Sequence, residues 1–339
     1  MRSMAKRERT FLVIGCGSIG RRHLANLRKL KAGEVWVVDT DLTRARAAAR
    51  DHGATGFYDI RGALAARPDV ALIATPTNLH VKLALAAAAK DCHLFIEKPL
   101  SHTLASVPAL VRLVRKNRLI TLVGCNMRFH PSVRKVKEIL DDGSIGSPLA
   151  ARIEVGQYLP DWHPEEDYRK SYSARRAAGG GVVLDAIHEI DYSMWMFGDV
   201  KRVACLTKRT GTIDIETEDL ATILLEFRDG TLGQVHLDYL QRTYSRSCQV
   251  IGTEGTVKWD WVEGRVRLFR AATGKWQDHP LPPRWEVNQM YQDEMAHFMG
   301  CLDGKETTSL DVAGAAKVLK VALAAKRSSA RGSFVRIPE

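Results

Sequence analysis

The chain has 339 residues, more than one typical hydrophobic core organises, so its length predicts two domains. An apolar share of 45% and a charged share of 26% are those of a globular protein. They exclude a disordered chain, and the lack of an uncharged apolar run of about 18 residues excludes a membrane-spanning helix. A net charge of +11 comes with no nucleic-acid recognition motif, so it argues for a field that draws in anionic cofactors or substrates and against nucleic acid as partner.

The first residues, MRSMAKRER, are basic and lead into a short apolar run, but no small-residue cleavage pattern follows. No targeting signal is expected, and residues 1–9 are expected to form a flexible tail. TFLVIG is a β-rich run, and GSIGRRHLANLRKL turns helical with Ile19, Leu24, Leu27 and Leu30 on one side. EVWVVDT (34–40), ARPDVALIATP (66–76), CHLFIEKP and LITLVGCNMRF (119–129) are the next four strands. TRARAAARDHG, HVKLALAAAAKDC and TLASVPALVRLVRKNR are the helices between them, the last interrupted early by Pro108. Strands alternating with helices predict a parallel sheet covered on both faces.

Near residue 130 the rhythm changes. After the helix HPSVRKVKEILDDGSIG come longer, alternating strands: LAARIEVGQY, DLATILLEF, LGQVHLDYL, SCQVIGTEGTVKWD and RVRLFRA. One helix, DAIHEIDYSMWMFG, lies among them, and DVAGAAKVLKVALAAKRSSARG closes the chain. The expected fold is α/β: a Rossmann domain with a parallel sheet over residues 10–129, then an α+β domain with a large, open, mostly antiparallel sheet over 130–339. Six cysteines (16, 92, 125, 205, 248, 301) form no CxxC pair and read as buried thiols of a reducing, cytoplasmic compartment, with no metal site expected.

GCGSIG matches G-x-G-x-x-G after a strand and at the start of a helix. Gly15 permits the tight turn, Gly17 lets a pyrophosphate approach the backbone, and Gly20 packs helix on strand. Ser18 and Ile19 open the helix whose N–H groups would hold the anion. Asp39 ends the next strand, where a carboxylate accepts from the adenosine ribose diol and repels a 2′-phosphate. NAD is therefore favoured, with NADP the alternative if Arg44 reaches the phosphate.

In ATPTNLH, the residues Thr75, Pro76, Asn78 and His80 occupy a strand's C-terminal edge, where such sheets bind ligands. His80 equally suits a helix start without function. Lys98, in EKP, sits at the same edge and could lend a proton or a hydrogen bond to a reacting hydroxyl, with Pro99 a candidate for a cis bond; a solvated lysine is the alternative. Asp185 and His188, three apart in GGGVVLDAIHEIDYSMW, are expected on one helix face, continued by Tyr192 and Trp195. There His188 would accept a proton and Asp185 orient it, against the common case of a core histidine.

GCGSIGRRH, ATPTNLHVKLALAA, EKPLS, VGCNMRFHP, ILDDGSIGSP, GGGVVLDAIHEIDYSMWMFG and IGTEGTV, in that order, resemble the glucose–fructose oxidoreductase, inositol dehydrogenase and MocA (Gfo/Idh/MocA) family, over nearly the whole chain. The resemblance implies hydride transfer between a nicotinamide and a hydroxyl or keto carbon of a sugar, sugar acid, polyol or nucleotide sugar, in a homodimer or homotetramer. It gives Lys98 and His188 the catalytic roles, makes Glu97 and Pro99 part of the lysine motif, and has Asn126, beside the cofactor, and Arg128 line the site. The family places its aspartate four residues before the histidine, whereas Asp185 lies three before His188. QYLPDWHPEEDYRKSYSARRAAGGG looks like the specificity loop. Tyr158, Trp162 and Tyr172 could stack on a sugar, and Arg169, Arg175 and Arg176 could hold an anionic group. A reductase or epimerase-like enzyme that keeps and recycles its cofactor is the alternative, and a non-catalytic dinucleotide-binding regulator a more distant one.

Overall fold

The computed structural model describes residues 8–162 and 164–338. Contacts gather the chain into two compact units. One takes the residues up to Gly124 together with Tyr291–Ala315, and the other takes Cys125–Met290 and Ala316 onward. Among the described residues no helix is long and apolar enough to cross a membrane.

The first unit is built on six parallel strands: β1 (Thr10–Ile14), β2 (Glu34–Val38), β3 (Thr55–Phe57), β4 (Val70–Ile73), β5 (His93–Glu97) and β6 (Thr121–Gly124). Their order is β3-β2-β1-β4-β5-β6, the Rossmann arrangement, with the direction of strand order reversing beside β1. The connecting helices are α1 (Ser18–Lys29), α2 (Leu42–His52), α3 (Ile60–Ala65), α4 (His80–Ala88) and α5 (Val107–Lys116). Strands β1 and β4 are buried at every residue, as strands covered on both faces must be. Pro108 falls in the first turn of α5 and so begins that helix instead of interrupting it; the ring's missing N–H costs nothing there.

Several boundaries differ from the sequence expectation. The short β3 and α3 had no periodicity long enough to read. The helix after the second sheet, Val287–Leu302, went unread because its apolar residues are interleaved with Gln, Asp, Glu and His; here it is α9, and α10 is Val312–Arg331. Met295 and Phe298 of α9 lie in the core of the first unit with Phe11, Leu24, Leu72 and Phe95. That burial, with Val123 N–H donating to Leu310 O (3.0 Å), returns the Tyr291–Ala315 segment to the Rossmann unit. The expected tail over residues 1–9 lies outside the described residues except for Glu8 and Arg9. Arg9 is held, its guanidinium donating to Asp303 Oδ1 (2.6 Å) and Leu302 O (2.8 Å).

The second unit carries α6 (Pro131–Asp141), β7 (Pro148–Gly156), α7 (Val182–Asp185), α8 (His188–Phe197), and β8 (Val200–Lys208). Then follow β9 (Leu220–Phe227), β10 (Leu232–Asp238), β11 (Ser245–Gly252), β12 (Gly255–Asp260), β13 (Arg265–Arg270), β14 (Lys275–Pro280) and β15 (Val335–Arg336). These nine strands run in the order β14-β13-β12-β11-β7-β10-β9-β8-β15, antiparallel except for the parallel pair β7–β10. Alternation along β9 and β10 buries Ala221, Ile223, Leu225, Val235 and Leu237 and leaves Leu224 and Leu232 exposed. Helices α6 and α8 lie against β7, β10, β12 and β13.

Candidate active site

The glycine motif folds as its residues dictate. Gly15 has φ +99°, a backbone no β-carbon tolerates well, and its N–H donates to Val38 O at 2.9 Å. A β-carbon at Gly20 would stand 1.9 Å from Gly15 O, so that glycine serves packing of helix on turn. At Gly17 a β-carbon would meet nothing within 4 Å: the space before the helix is open. Helix α1 starts there with no side-chain cap and no acid in its first turn, which leaves its leading N–H groups, from Ser18 and Ile19 on, available to an anion. The open side of Gly17 and these uncapped donors fit a dinucleotide pyrophosphate.

Asp39 follows β2. Its Oδ2 accepts from Cys16 N–H (2.7 Å) and its Oδ1 from Asp41 N–H (2.8 Å). The Thr40 hydroxyl lies 3.5 Å from Oδ1, and Oδ2 keeps a second lone pair, so the two backbone donors fix the group in the orientation in which it could receive a ribose hydroxyl. Arg44, the residue that could have held a 2′-phosphate, pairs with Asp41 (3.5 Å) on the exposed start of α2. Two acids at this edge repel the 2′-phosphate of NADP.

In the loop after β4, Thr75 is half-buried and Pro76 and Asn78 are exposed, open to a ligand at the sheet's edge. His80 differs from the expectation that it touches cofactor. It is buried, with Nδ1 2.8 Å from Pro99 O and Nε2 2.8 Å from Thr75 O, so both ring nitrogens face backbone acceptors and the neutral imidazole donates to one of the two carbonyls. Burial lowers its pKa, opposed by the two carbonyls and by Glu97.

Lys98 is half-buried directly after β5, and the Lys98–Pro99 bond is cis. Glu97, expected at the cofactor, is turned inward: Oε1 lies 2.6 Å from His23 Nε2 of α1, and Oε2 accepts from Lys98 N–H (3.2 Å). Its partner His23 was not foreseen, although an imidazole one turn beyond the glycine motif on a buried helix face had to find a polar contact.

In the second unit, Asp185 and His188 are not on one helical face. Asp185 ends α7, Ala186 leaves helical geometry (φ −88°, ψ 35°), and His188 begins α8, so a spacing of three residues does not carry its usual meaning. Asp185 is buried and accepts from Tyr172 Oη (2.6 Å), Ser173 Oγ (2.7 Å) and Tyr239 Oη (3.0 Å). Burial and the neighbouring carboxylate push the Tyr239 phenol well up, so it stays a donor. His188 is half-buried at the first position of α8.

Two buried ion pairs hold α8. Arg128 grips Asp191 in a fork, with Nε–Oδ2 2.8 Å and Nη2–Oδ1 2.7 Å, and Arg246 of β11 meets Glu189 at 2.6 Å. Burial opposes the charge on Arg246 and Glu189 more than offsets it, so the guanidinium stays ionised. Glu189 and Asp191 were missed as partners, although two acids in an otherwise apolar helix signal buried counter-charges. Asn126 is buried beside Arg128 in a single 3₁₀ turn, Asn126–Phe129.

Of the other residues expected at the substrate, Tyr158 lies under the Arg242 guanidinium (3.7 Å) and Trp162 packs edge-on to Tyr239 (5.5 Å). Tyr172 is tied to Asp185. Arg169 is committed to Asp167 through Nε–Oδ1 (2.8 Å) and Nη2–Oδ2 (3.0 Å), Arg176 donates to Glu216 O (3.3 Å), and Arg175 is exposed.

Residues 9–125 match the family model described as an oxidoreductase family with an NAD-binding Rossmann fold, and residues 133–258 match the GFO/IDH/MocA C-terminal domain. The chain is similar to myo-inositol 2-dehydrogenase of Thermotoga maritima, 27% identical over 96% of this chain and 98% of that protein. It is 31% identical to D-apiose dehydrogenase of Paraburkholderia graminis over 76% of this chain and 66% of the relative. Levoglucosan dehydrogenase solved with NADH and L-sorbose superposes with a TM-score of 0.89 at 22% identity, covering 98% of this chain and 100% of that one. An oxidoreductase of Agrobacterium radiobacter solved with NAD+, L-tartaric acid and magnesium gives 0.87 at 23%, over 97% and 98%. The uncapped helix at an open glycine turn, the carboxylate at the end of β2, the lysine closing β5 and these two domain matches converge: the chain belongs to the Gfo/Idh/MocA family of NAD(P)-dependent oxidoreductases.

Proposed function

We propose that the protein is an NAD-dependent dehydrogenase of a neutral, polyhydroxylated ring, a cyclic polyol or sugar. The bound nicotinamide supplies the hydride acceptor at C4. Lys98, rising from the end of β5 at the sheet edge where cofactors of this fold lie, holds the reacting hydroxyl by a hydrogen bond. His188, at the start of a helix fixed by the Arg128–Asp191 and Arg246–Glu189 pairs, takes the hydroxyl proton. Asp185 serves the second unit by gathering Tyr172, Ser173 and Tyr239 around one carboxylate, which fixes the Tyr239 ring against which Trp162 packs. The observation that carries the choice of a neutral substrate is the fate of the arginines. Of the three arginines expected to hold an anionic group, Arg169 is paired with Asp167 and Arg176 donates to Glu216 O, which leaves Arg175; Arg128, expected to line the site, is paired with Asp191.

The relatives named for myo-inositol and D-apiose support this class, and myo-inositol is the first compound to test. With saturating NAD+, Lys98→Met is expected to bind NADH normally and to lose at least about 10³-fold in kcat; turnover within ten-fold of wild type would remove Lys98 from the mechanism. A homodimer or homotetramer joined through the exposed face of the nine-stranded sheet, in the cytoplasm, fits both the exposed leucines there and six buried, free cysteines.

A further inference from the structure

Both residues flanking Lys98 are bound to buried histidines, and each histidine comes from the helix that follows a strand of the dinucleotide edge. On one side the Glu97 carboxylate joins His23 of α1 (2.6 Å) to the Lys98 backbone N–H (3.2 Å). It lies so close over β6 that a β-carbon at Gly124 would stand 3.2 Å from Glu97 Oε1. On the other side Pro99 O meets His80 Nδ1, whose second nitrogen meets Thr75 O in the loop after β4, both at 2.8 Å. His23 is fully buried against the edges of Phe95 and Tyr291. Its Nδ1 has no partner among the described residues. A bare lone pair is the cheaper group to leave unpaired in such a place, so the proton sits on Nε2 and is donated to Glu97.

We infer that His23 and His80 are positioning residues for Lys98: they fasten the lysine turn to the phosphate-binding helix and to the loop after β4, so that the cradle that seats the dinucleotide also sets where the ammonium stands. The inference rests on the role given to Lys98 above. Its physical basis is that a lysine has a long, flexible stem, so its reach is defined only if its backbone is fixed, and a misplacement of about 1 Å costs roughly 10²-fold in rate. Neither histidine offers a ring nitrogen to the cofactor or substrate: His23 is fully buried, and both nitrogens of His80 face backbone carbonyls inside the unit.

The test compares His23→Leu, His23→Gln and His23→Asn in the full chain with NADH bound. Glutamine places an N–H donor about where Nε2 lies; asparagine carries the same group on a shorter arm and leucine none. Three quantities are read: the NADH Kd by fluorescence titration, amide hydrogen exchange over residues 95–100, and kcat on myo-inositol or whichever polyol turns over. Expected for leucine and asparagine are an NADH Kd within about 3-fold of wild type, exchange over 95–100 faster by about 10-fold or more, and kcat lower by about 10²-fold, with glutamine restoring exchange and kcat to within about 5-fold. A purely structural role would lower thermal stability and speed exchange in β1 and β4 as much as over residues 95–100 while leaving kcat untouched, and that result overturns the inference. So does a glutamine variant as impaired as the leucine one, or an NADH Kd that rises as far as kcat falls. If His23→Leu does not fold, the contrast of glutamine with asparagine decides on the same readouts. Exchange needs no substrate, so it reports on the clamp even if Lys98→Met shows that the lysine itself is dispensable.

Discussion

In the proposed function Asp39 sets the cofactor preference through a single carboxylate, which the Cys16 and Asp41 N–H groups orient. Removing it as Asp39→Ala should weaken NADH by about 10- to 100-fold, the worth of a hydrogen-bonded charge, and narrow or erase the gap to NADPH; paired fluorescence titrations check this. At this scale the sequence was legible where one residue's backbone dictates its conformation or packing, as at Gly15 and Gly20. It was misleading where a contact partner decides. His80 and Glu97 lie at the expected edge yet face inward, because a carbonyl or an imidazole from a distant segment claims them. Arg128 and Arg169 looked available only because Asp191 and Asp167 could not be assigned to them from spacing.

Helix α8 shows what elements add. A helix read as continuous from Asp185 breaks at Ala186, and the three-residue spacing lost its meaning with it. What holds the helix is charge: Arg128→Met would leave Asp191 buried and uncompensated, at a cost of about 3–5 kcal/mol, so a marked drop in Tm is expected, with loss of activity because His188 begins the same helix. Helix α6 offers a pH test. Its cap His130 is packed among Trp259, Trp261 and Trp285, and its Nδ1 accepts from Ser132 N–H. Burial, with the nearby Arg246, pushes its pKa down to about 3 from an ordinary 6.5. The folded form therefore refuses a proton that the unfolded chain accepts, and stability falls as pH drops from about 6.5 towards 3, by about 1.4 kcal/mol per pH unit from this group. His130→Asn keeps a capping acceptor, and its urea midpoint should lose less stability than wild type between pH 6.5 and 4.5. Equal slopes would mean that His130 does not titrate as described. Long periodic elements were readable in advance, whereas β3 of three residues is too short for a period, the edge strand β14 is exposed along nearly its whole length and carries no apolar alternation, and the mixed-polarity α9 finds its core on strands far back along the chain.

For the whole molecule, the order of motifs marked the family and the two-part architecture, but not the return of Tyr291–Ala315 to the first unit, which depends on where Met295 and Phe298 find a core. Nor does sequence alternation say what covers the outer sheet face, where Leu206, Leu224 and Leu232 are 74%, 49% and 58% exposed. If that face joins copies of the chain, Leu224→Arg with Leu232→Arg should shift sedimentation velocity from dimer or tetramer to monomer while leaving NADH binding intact; an unchanged assembly would place the interface elsewhere. In the proposed function Lys98 governs hydride transfer between bound NAD and a neutral cyclic polyol or sugar. That function is tested most directly by following NADH formation at saturating NAD+ over a panel of polyols, sugars and sugar acids headed by myo-inositol, with wild type and Lys98→Met side by side. Expected are wild-type turnover on a neutral cyclic polyol or sugar and at least about 10³-fold less in the variant, with NADH affinity retained. Turnover by Lys98→Met within ten-fold of wild type, or activity confined to sugar acids, would contradict that function.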